Sequence, residues 1–402
     1  MHLYIHIPFC HSRCTYCDFN TYTGLDSLIP AYVDALCAEI NHAAAWCSHT
    51  NPELLTIETI FFGGGTPSVL PLPRLQQLTQ TLSSAFTFSD DLEWSLEANP
   101  GTLTELALGE MRSCGINRLS FGVQSSHQDE LDLLGRIHTY PEAVQAIQAA
   151  RRAGFDNVNV DLIYGLPLQS LNAWKTTLSR AVDLGPEHLS LYALTLEEET
   201  PLWSQVQNGS LPTPDEDLAA DMYLHAEDAL SLCGYAHYEI SNWARSIPSA
   251  AATDTFPSNA CRHNLNTWHN HPYLGLGAGA HGSIPRTRYA NIRHPGDYIV
   301  RMQADNTSLQ ASLPSMAAEE SWAISAQQEM TETMILGLRL LEEGVTFQDF
   351  EQRFGESLLS RFGDAVSTYQ QLDLLEVTPE RVRLTTRGHL LANQVMQAFL
   401  LD

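Results

Sequence analysis

Positive charge is scarce in this sequence. Its 402 residues include 21 Lys and Arg against 47 Asp and Glu, which gives a formal net charge of −26. A surface of that sign repels the phosphate backbone of nucleic acids and the head groups of anionic lipids. The charge balance therefore predicts that nucleic acid is not a partner.

Long apolar segments are also missing. No run approaches the roughly 20 apolar residues that a helix needs to span a bilayer. The first ten residues, MHLYIHIPFC, contain neither the basic region nor the long apolar region of a signal peptide. We therefore expect a cytoplasmic protein without a transmembrane segment.

Cysteine is sparse, with eight residues in the chain, and three of them lie between positions 10 and 17. Such crowding is typical of a metal or redox site rather than of a disulfide framework. It agrees with a reducing compartment.

Short apolar runs alternate with segments of helical period from the N-terminus to about residue 195. This rhythm is typical of parallel βα units. The strand candidates are Leu3–Phe9, Thr59–Phe62, Glu93–Ala98, Arg118–Gly122, Val158–Tyr164 and His188–Leu194. We predict an α/β fold with a partial (β/α)6 barrel, in which the ends of the strands and the loops after them carry the chemistry.

The pattern changes to helix, helix, hairpin and helix near the C-terminus, which predicts a smaller winged-helix-like α+β domain. Residues 317–402 hold 6 Arg, no Lys and 14 acidic residues. Because that balance opposes a DNA groove, a packing or lid domain is favoured over an acidic winged-helix regulator. We predict a barrel over residues 1–240, a connecting region over 241–316 and the C-terminal domain over 317–402.

The three crowded cysteines, Cys10, Cys14 and Cys17, follow the first predicted strand with the spacing C-x3-C-x2-C. Structural zinc sites and ferredoxin-type clusters use four protein ligands. A 4Fe-4S cluster with three protein ligands keeps one iron free, as a catalytic centre requires. A zinc site completed by His11 remains the alternative, although His11 lies within the same tight loop.

This triplet resembles the signature of the radical SAM superfamily. The resemblance implies a 4Fe-4S cluster held by Cys10, Cys14 and Cys17, whose open iron is chelated by S-adenosylmethionine (SAM). It also implies a low-potential electron donor that reduces the cluster, and radical chemistry that belongs to the cofactors while the protein positions and shields them. Tyr16 corresponds to an aromatic residue that the superfamily places near the adenine.

Further polar or glycine residues stand at the ends of successive predicted strands. By the same resemblance, the SAM-contacting residues would be Gly64, Gly65, Thr66, Glu97, Gln124, Asp161 and Arg136, with Tyr4 and Ala193 as weaker candidates. Carboxylates suit the ribose hydroxyls and the amino group of SAM, whereas a guanidinium suits its carboxylate. Each residue taken alone could instead be a hydrogen-bonded polar group of the core.

Several motifs narrow the resemblance to one branch of the superfamily. The segments HIPFC, FFGGGTPS, EANPG, FGVQS, DLIYGLP and GAGAH resemble the oxygen-independent coproporphyrinogen III oxidases of porphyrin biosynthesis and their sister group, the HemW-type haem chaperones. The oxidases extend the cluster motif to C-x3-C-x2-C-x-C. Phe19 occupies the position of that additional cysteine here, which places the chain with the chaperones.

The segment CRHNLNTW, residues 261–268, resembles the chaperone motif HNxxYW, although Thr267 replaces its tyrosine. The resemblance implies haem contacts by His263, Asn264 and Trp268, and imidazole and indole groups suit a porphyrin. The alternative is that His263 caps a turn while Trp268 packs in the core. The expected function is haem binding and delivery to haem-accepting apoproteins, without oxidase activity; the alternative is an oxidative decarboxylase of coproporphyrinogen III.

Overall fold

A computed structural model describes residues 1–101, 103–246, 256–304 and 312–400. The chain divides into two compact units that alternate along the sequence. Unit 1 contains residues 1–226, 273–284 and 288–321, and unit 2 contains residues 227–272, 285–287 and 322–402. In the described part of the chain, no helix has both the length and the apolar character needed to cross a membrane. The predicted boundaries at residues 240 and 316 stay a prediction.

Strands and helices alternate through the first part of the chain. The elements are β1 (His2–Ile7), α1 (Ile29–Thr50), β2 (Thr56–Gly64), α2 (Leu72–Ala85), β3 (Thr87–Ala98), α3 (Glu105–Ser113), β4 (Arg118–Gln124), α4 (Gln128–Leu133), α5 (Tyr140–Arg152), β5 (Asn157–Tyr164), α6 (Leu171–Asp183), β6 (His188–Ala193), α7 (Pro201–Gln207) and α8 (Glu216–Leu232). Each of the six predicted strands is present. The α/β fold expected from the sequence is thus confirmed.

The six strands pair in parallel and in sequence order, from β1 to β6. They are largely buried, as expected for parallel strands covered on both faces. Helix α1 buries the predicted apolar face that contains Ile29, Val33, Leu36 and Ile40. Neighbouring strands lie about 4.8 Å apart, so residues at the ends of β1 and β6 can line one cavity only if the sheet curves.

The chain leaves unit 1 within α8, forms the hairpin β7 (Tyr235–Glu239) and β8 (Asn242–Arg245) and helix α9 (Arg262–Trp268), and then returns. The returning elements are β9 (Tyr273–Leu276), β10 (His281–Ile284), β11 (Thr287–Asn291), α10 (Pro295–Gln303) and β12 (Ala318–Ala323). Strand β9 pairs in parallel with β1 on the side opposite β2. The sheet therefore continues beyond β1 in the order β9-β10-β11-β12.

The fully buried carboxylate of Glu39 joins α1 to this returning segment. It accepts hydrogen bonds from the backbone N–H of Gly277 at 2.7 Å, Asn291 Nδ2 at 2.8 Å, the Tyr298 hydroxyl at 2.6 Å and the Ser315 hydroxyl. Burial raises the pKa of Glu39, and these four hydrogen bonds oppose the rise. Partners up to 276 residues away in sequence thus depend on one acceptor.

The C-terminal part of unit 2 consists of α11 (Ala326–Gly337), β13 (Val345–Thr346), α12 (Phe347–Phe354), α13 (Leu358–Gln371), β14 (Leu375–Val377), β15 (Arg381–Leu384), α14 (Thr386–Leu390) and α15 (Ala392–Gln397). Its three strands form a small antiparallel sheet in the order β13-β15-β14. The helices bury one apolar cluster that includes Met334, Phe350, Phe362 and Phe399. The winged-helix-like α+β domain predicted from the sequence is confirmed.

Replacing Glu39 with Gln should lower the stability of the full chain strongly. An amide cannot accept all four hydrogen bonds, so buried donors lose their partner at a cost of about 3 kcal/mol or more. Thermal unfolding monitored by circular dichroism measures the change in midpoint. Glu58→Gln is the matched control, because Glu58 is half exposed and pairs with the N-terminal ammonium. Equal midpoints for the two variants would contradict the assigned role of Glu39.

Candidate functional site

The three clustered cysteines lie on one closed loop that follows β1. A backbone bridge between Phe9 and Tyr22 closes the base of the loop. The Cys10 N–H donates to Tyr22 O at 3.0 Å, and the Tyr22 N–H donates to Pro8 O at 2.7 Å. The loop therefore begins and ends at the same place on the sheet.

All three cysteines line a single cavity of about 490 Å³ at the carboxyl ends of the strands. Burial raises the pKa of Cys10 to about 11, so a bound cation is what would favour its thiolate. The loop after β1 thus brings three thiols to one cavity.

A line of hydrogen bonds connects Cys14 to Cys10 around the cavity. Arg136 donates to the Cys14 sulfur at 3.4 Å and to Asn99 Oδ1 at 2.6 Å. Asn99 Nδ2 donates to Thr66 Oγ1 at 3.0 Å, and this hydroxyl lies 3.4 Å from the Cys10 sulfur. Two of the thiols are thus positioned by side chains that follow β2, β3 and α4.

Arg136 also donates to the carbonyl of Gly122 at 2.7 Å. Both of its terminal nitrogens therefore already have protein partners in this structure. The resemblance to the superfamily predicted that this guanidinium binds the carboxylate of SAM. Its Nε is a buried donor with no hydrogen-bond partner among the described residues, and Arg136 lines the cavity. The predicted contact with the carboxylate of SAM therefore stays a prediction.

Gly64 and Gly65 form the turn that ends β2, and both line the cavity. A Cβ atom on Gly64 would lie 2.5 Å from the ring of His6, and its φ of +114° is unfavourable for other residues. A Cβ atom on Gly65 would lie 2.7 Å from the carbonyl oxygen of Phe9. These glycines are needed because the turn packs directly on β1, and they leave backbone atoms facing the cavity.

Two carboxylates face the cavity from β3 and β5, and their surroundings differ. Asp161 accepts hydrogen bonds from Ser120 Oγ and from Asn159 Nδ2, both at 2.8 Å. Glu97 accepts one from the Gly64 N–H at 3.1 Å. Burial and the nearby negative charge of Asp161 raise the pKa of Glu97 to about 8. Of the two carboxylates, Glu97 is therefore the one whose ionised form a cationic ligand would stabilise more.

Gln124, at the end of β4, adopts a left-handed backbone conformation with a φ of +66°. A non-glycine residue in this region costs about 1 kcal/mol, and such strain is common at functional sites. Its Oε1 atom is buried and has no hydrogen-bond partner among the described residues. An unsatisfied acceptor beside the cavity fits a ligand that donates a hydrogen bond.

The other predicted SAM contacts divide into two groups. Tyr16 and Ala193 line the cavity. Tyr4 is not among its lining residues; its hydroxyl lies 3.0 Å from His6 Nδ1 and its ring stacks on Phe61. Asn99, in the segment EANPG, was not predicted as a site residue, and its place directly after a strand was the available signal.

The segment proposed for haem contact lies in unit 2, where helix α9 carries His263, Asn264 and Trp268. His263 is only 8% exposed. The guanidinium of Arg339 covers one face of the Trp268 ring at 4.2 Å and pairs with the buried carboxylate of Glu239 at 3.1 Å. One face of the indole is therefore already occupied by protein.

Comparison with known protein families gives two matches. The Radical SAM superfamily matches residues 4–181, and the HemN C-terminal domain matches residues 324–391.

Individual relatives match over longer stretches. The chain is 34% identical to the haem chaperone HemW of Bacillus subtilis, over 99% of this chain and 98% of that protein. It is 35% identical to the mitochondrial radical S-adenosyl methionine domain-containing protein 1 of Bos taurus, over 87% of this chain and 75% of that protein. Among solved structures, the coproporphyrinogen III oxidase HemN of Escherichia coli has the same fold, with a TM-score of 0.80, 24% identity, and coverage of 99% and 89% of the two chains.

Because the pKa of Glu97 is raised, the stability of the folded chain should depend on pH. Because the folded chain binds this proton more tightly than the unfolded chain, the stabilisation is present below about pH 4.5 and is lost as the pH rises through about 8. Between about pH 5 and pH 9, the unfolding temperature of Glu97→Gln should therefore fall less than that of the wild type. Thermal unfolding without added iron or SAM measures this.

Glu53→Gln, at an exposed position of unit 1, is the control and should follow the wild-type pH profile. An unchanged pH profile for Glu97→Gln would show that the carboxyl group is not buried as described.

Proposed function

Since the chain belongs to the radical SAM superfamily and, within it, to the family that contains the HemW haem chaperones, we propose that it binds haem and passes it to haem-accepting apoproteins in the cytoplasm. The observation that carries this proposal is the similarity to a bacterial HemW over 99% of the chain, which includes both units and helix α9. The recipients are proteins that need haem as a prosthetic group.

We also propose that the cavity of unit 1 holds a 4Fe-4S cluster on Cys10, Cys14 and Cys17, with SAM beside it. When bound and reduced by a low-potential donor, these groups supply one-electron chemistry. The chain's own residues hold and shield them: Arg136 and Thr66 position two of the thiols. The support is the position of the three cysteines on one closed loop that lines the cavity, and the unsatisfied acceptor that faces the same cavity.

Within this cavity, Glu97 and Gln124 are the proposed partners of the polar groups of SAM. The Glu97 carboxylate would accept from the ammonium group, because a cation relieves the repulsion from Asp161. The Gln124 amide oxygen would accept a further hydrogen bond from the ligand. Gly64, Gly65, Thr66, Asp161 and Ala193 line the same space, and Tyr16 shields it from solvent.

The proposed haem site is centred on helix α9. Trp268 Nε1 and Arg339 Nε are buried donors with no hydrogen-bond partner among the described residues. Together they suit an anionic group such as a haem propionate. Iron ligation is assigned to His263, and Asn264 neighbours it on the same helix. Because His263 is mostly buried, haem binding here requires movement of α9 or of its covering side chains.

The alternative function is oxidative decarboxylation of coproporphyrinogen III. It is considered because the chain shares the fold of the Escherichia coli oxidase. Phe19 favours the chaperone, because it offers no thiol at the position where the oxidase motif has its additional cysteine. This side chain is 64% exposed and lines the cavity of unit 1.

Glu97→Gln and Gln124→Leu should each weaken SAM binding to the reconstituted full chain. The first removes a charge-assisted contact and the second a buried acceptor, and each loss corresponds to about a tenfold to hundredfold increase in Kd. Anaerobic isothermal titration calorimetry with SAM measures both. Glu53→Gln should bind SAM like the wild type, and equal affinities across all three variants would remove Glu97 and Gln124 from the site.

Haem binding should depend on unit 2 rather than on the cavity of unit 1. His263→Gln should change the Soret band and raise the Kd for haem about tenfold or more, because an iron ligand is lost. Phe19→Ala is the matched control in unit 1 and should leave haem affinity unchanged. Affinity should depend weakly on salt, because a chain of net charge −26 attracts no anion at long range.

The same preparations distinguish the two functions. With SAM and a reductant under strict anaerobiosis, the wild type should produce no protoporphyrinogen from coproporphyrinogen III. Steady product formation would establish the oxidase function instead. Absence of haem binding at micromolar concentration would overturn the chaperone proposal.

A further inference from the structure

A second group of metal-ligating side chains lies in unit 2, apart from the cysteine loop in sequence. It consists of Glu227 on α8, His237 on β7 and His389 on α14. His237 Nδ1 lies 3.1 Å from Glu227 Oε1, and His389 Nδ1 lies 2.9 Å from the same oxygen. The three donor atoms are all within 4.8 Å of one another. Two imidazoles and one carboxylate thus converge on one point.

The hydrogen bonds of His237 restrict what can lie between these atoms. Its Nε2 lies 3.2 Å from the carbonyl oxygen of Ile240, which can only accept, so Nε2 carries a hydrogen. In the neutral ring, Nδ1 then presents a lone pair toward the Glu227 oxygen. Two lone pairs at 3.1 Å repel, so the contact requires either an additional proton or a metal cation beside them.

Other contacts hold His237 in this orientation. Its ring stacks on Trp243, with 3.8 Å between the ring centres and an angle of 8° between the planes. Donation from one ring nitrogen to a backbone carbonyl is the arrangement that fixes the tautomer of histidines that ligate metals. The lone pair of Nδ1 therefore points toward the Glu227 oxygen without any bound ligand.

The site is also only partly shielded from solvent. The three side chains are between 12% and 16% exposed, so they are shielded while still reachable by water or an ion.

We propose that Glu227, His237 and His389 bind a divalent transition metal ion of the zinc class in unit 2. Two imidazole nitrogens and one carboxylate oxygen suit a tetrahedral zinc ion with one position left for water or an exogenous ligand. The ion would connect α8 and β7 to α14, and its ligands Glu227 and His389 are 162 residues apart in sequence. Its effect on the chain is to stabilise unit 2. The site does not depend on the proposed haem function.

The test adds zinc sulfate to the full chain after anaerobic reconstitution with iron and sulfide, followed by gel filtration. We expect about one retained zinc ion per chain by mass spectrometry, and an X-ray absorption spectrum with nitrogen and oxygen ligands at about 2.0–2.1 Å. Zinc bound by the cysteines would instead give sulfur ligands at about 2.3 Å, which separates the two sites in one spectrum.

Three variants give the comparison. His389→Gln and Glu227→Gln should each raise the Kd for zinc about a hundredfold or more, because each removes one of three ligands. His49→Gln is the matched control, since His49 is exposed on α1 and lies in unit 1. Circular dichroism of each variant without zinc shows whether it is folded, and zinc should raise the unfolding temperature only of the wild type and the control.

Two results would overturn the proposal. One is that the folded wild type retains no zinc with nitrogen and oxygen ligands at micromolar free zinc. The other is that His389→Gln retains such zinc as well as His49→Gln does. In either case the cluster is held by an additional proton, as an imidazolium–carboxylate pair, and zinc has no effect on its stability.

Discussion

The buried carboxylate of Glu39 is the interaction on which the arrangement of unit 1 depends. It holds α1 against the segment that returns after residue 272, and β9 of that segment pairs with β1. The cysteine loop follows β1 and is tied to the same segment, because Asn20 Nδ2 donates to the carbonyl oxygens of Ala278 and Arg293. A single desolvated charge thus connects the far part of the chain to the loop that carries the three thiols.

The cavity contains two kinds of polar group, and hydrogen bonding tells them apart. Asp161 and Asn99 are already bonded to other side chains. Their contribution is to hold neighbouring strand ends at fixed distances. Gln124 and Glu97 are less satisfied, one by an unpaired acceptor and the other by its raised pKa. In a preorganised site, the unsatisfied groups are the ones to which a ligand supplies the missing hydrogen bond or charge.

Much of unit 1 could be predicted from the sequence because strong local signals agree there. Six apolar runs separated by helical segments specify parallel strands, and the cysteine spacing marks the loop after the first of them. The contacts of Arg136 with Asn99 and Gly122 could not be predicted, since these residues come together only when strands β3 and β4 pair. The convergence of His237 and His389 had no sequence signal at all, because 152 positions separate two ordinary histidines.

The alternation of the two units along the chain limits how the protein can be divided. Residues 227–272 belong to unit 2 and precede β9, which belongs to unit 1. The chain returns to unit 2 after β9. Cutting the polypeptide at residue 321 would separate helix α9 and the β7–β8 hairpin from the C-terminal elements that complete their unit. The C-terminal domain is therefore not an appendage that evolution or an experimenter can exchange with a single crossover. Any recombination that preserves both units must join the chain at more than one point.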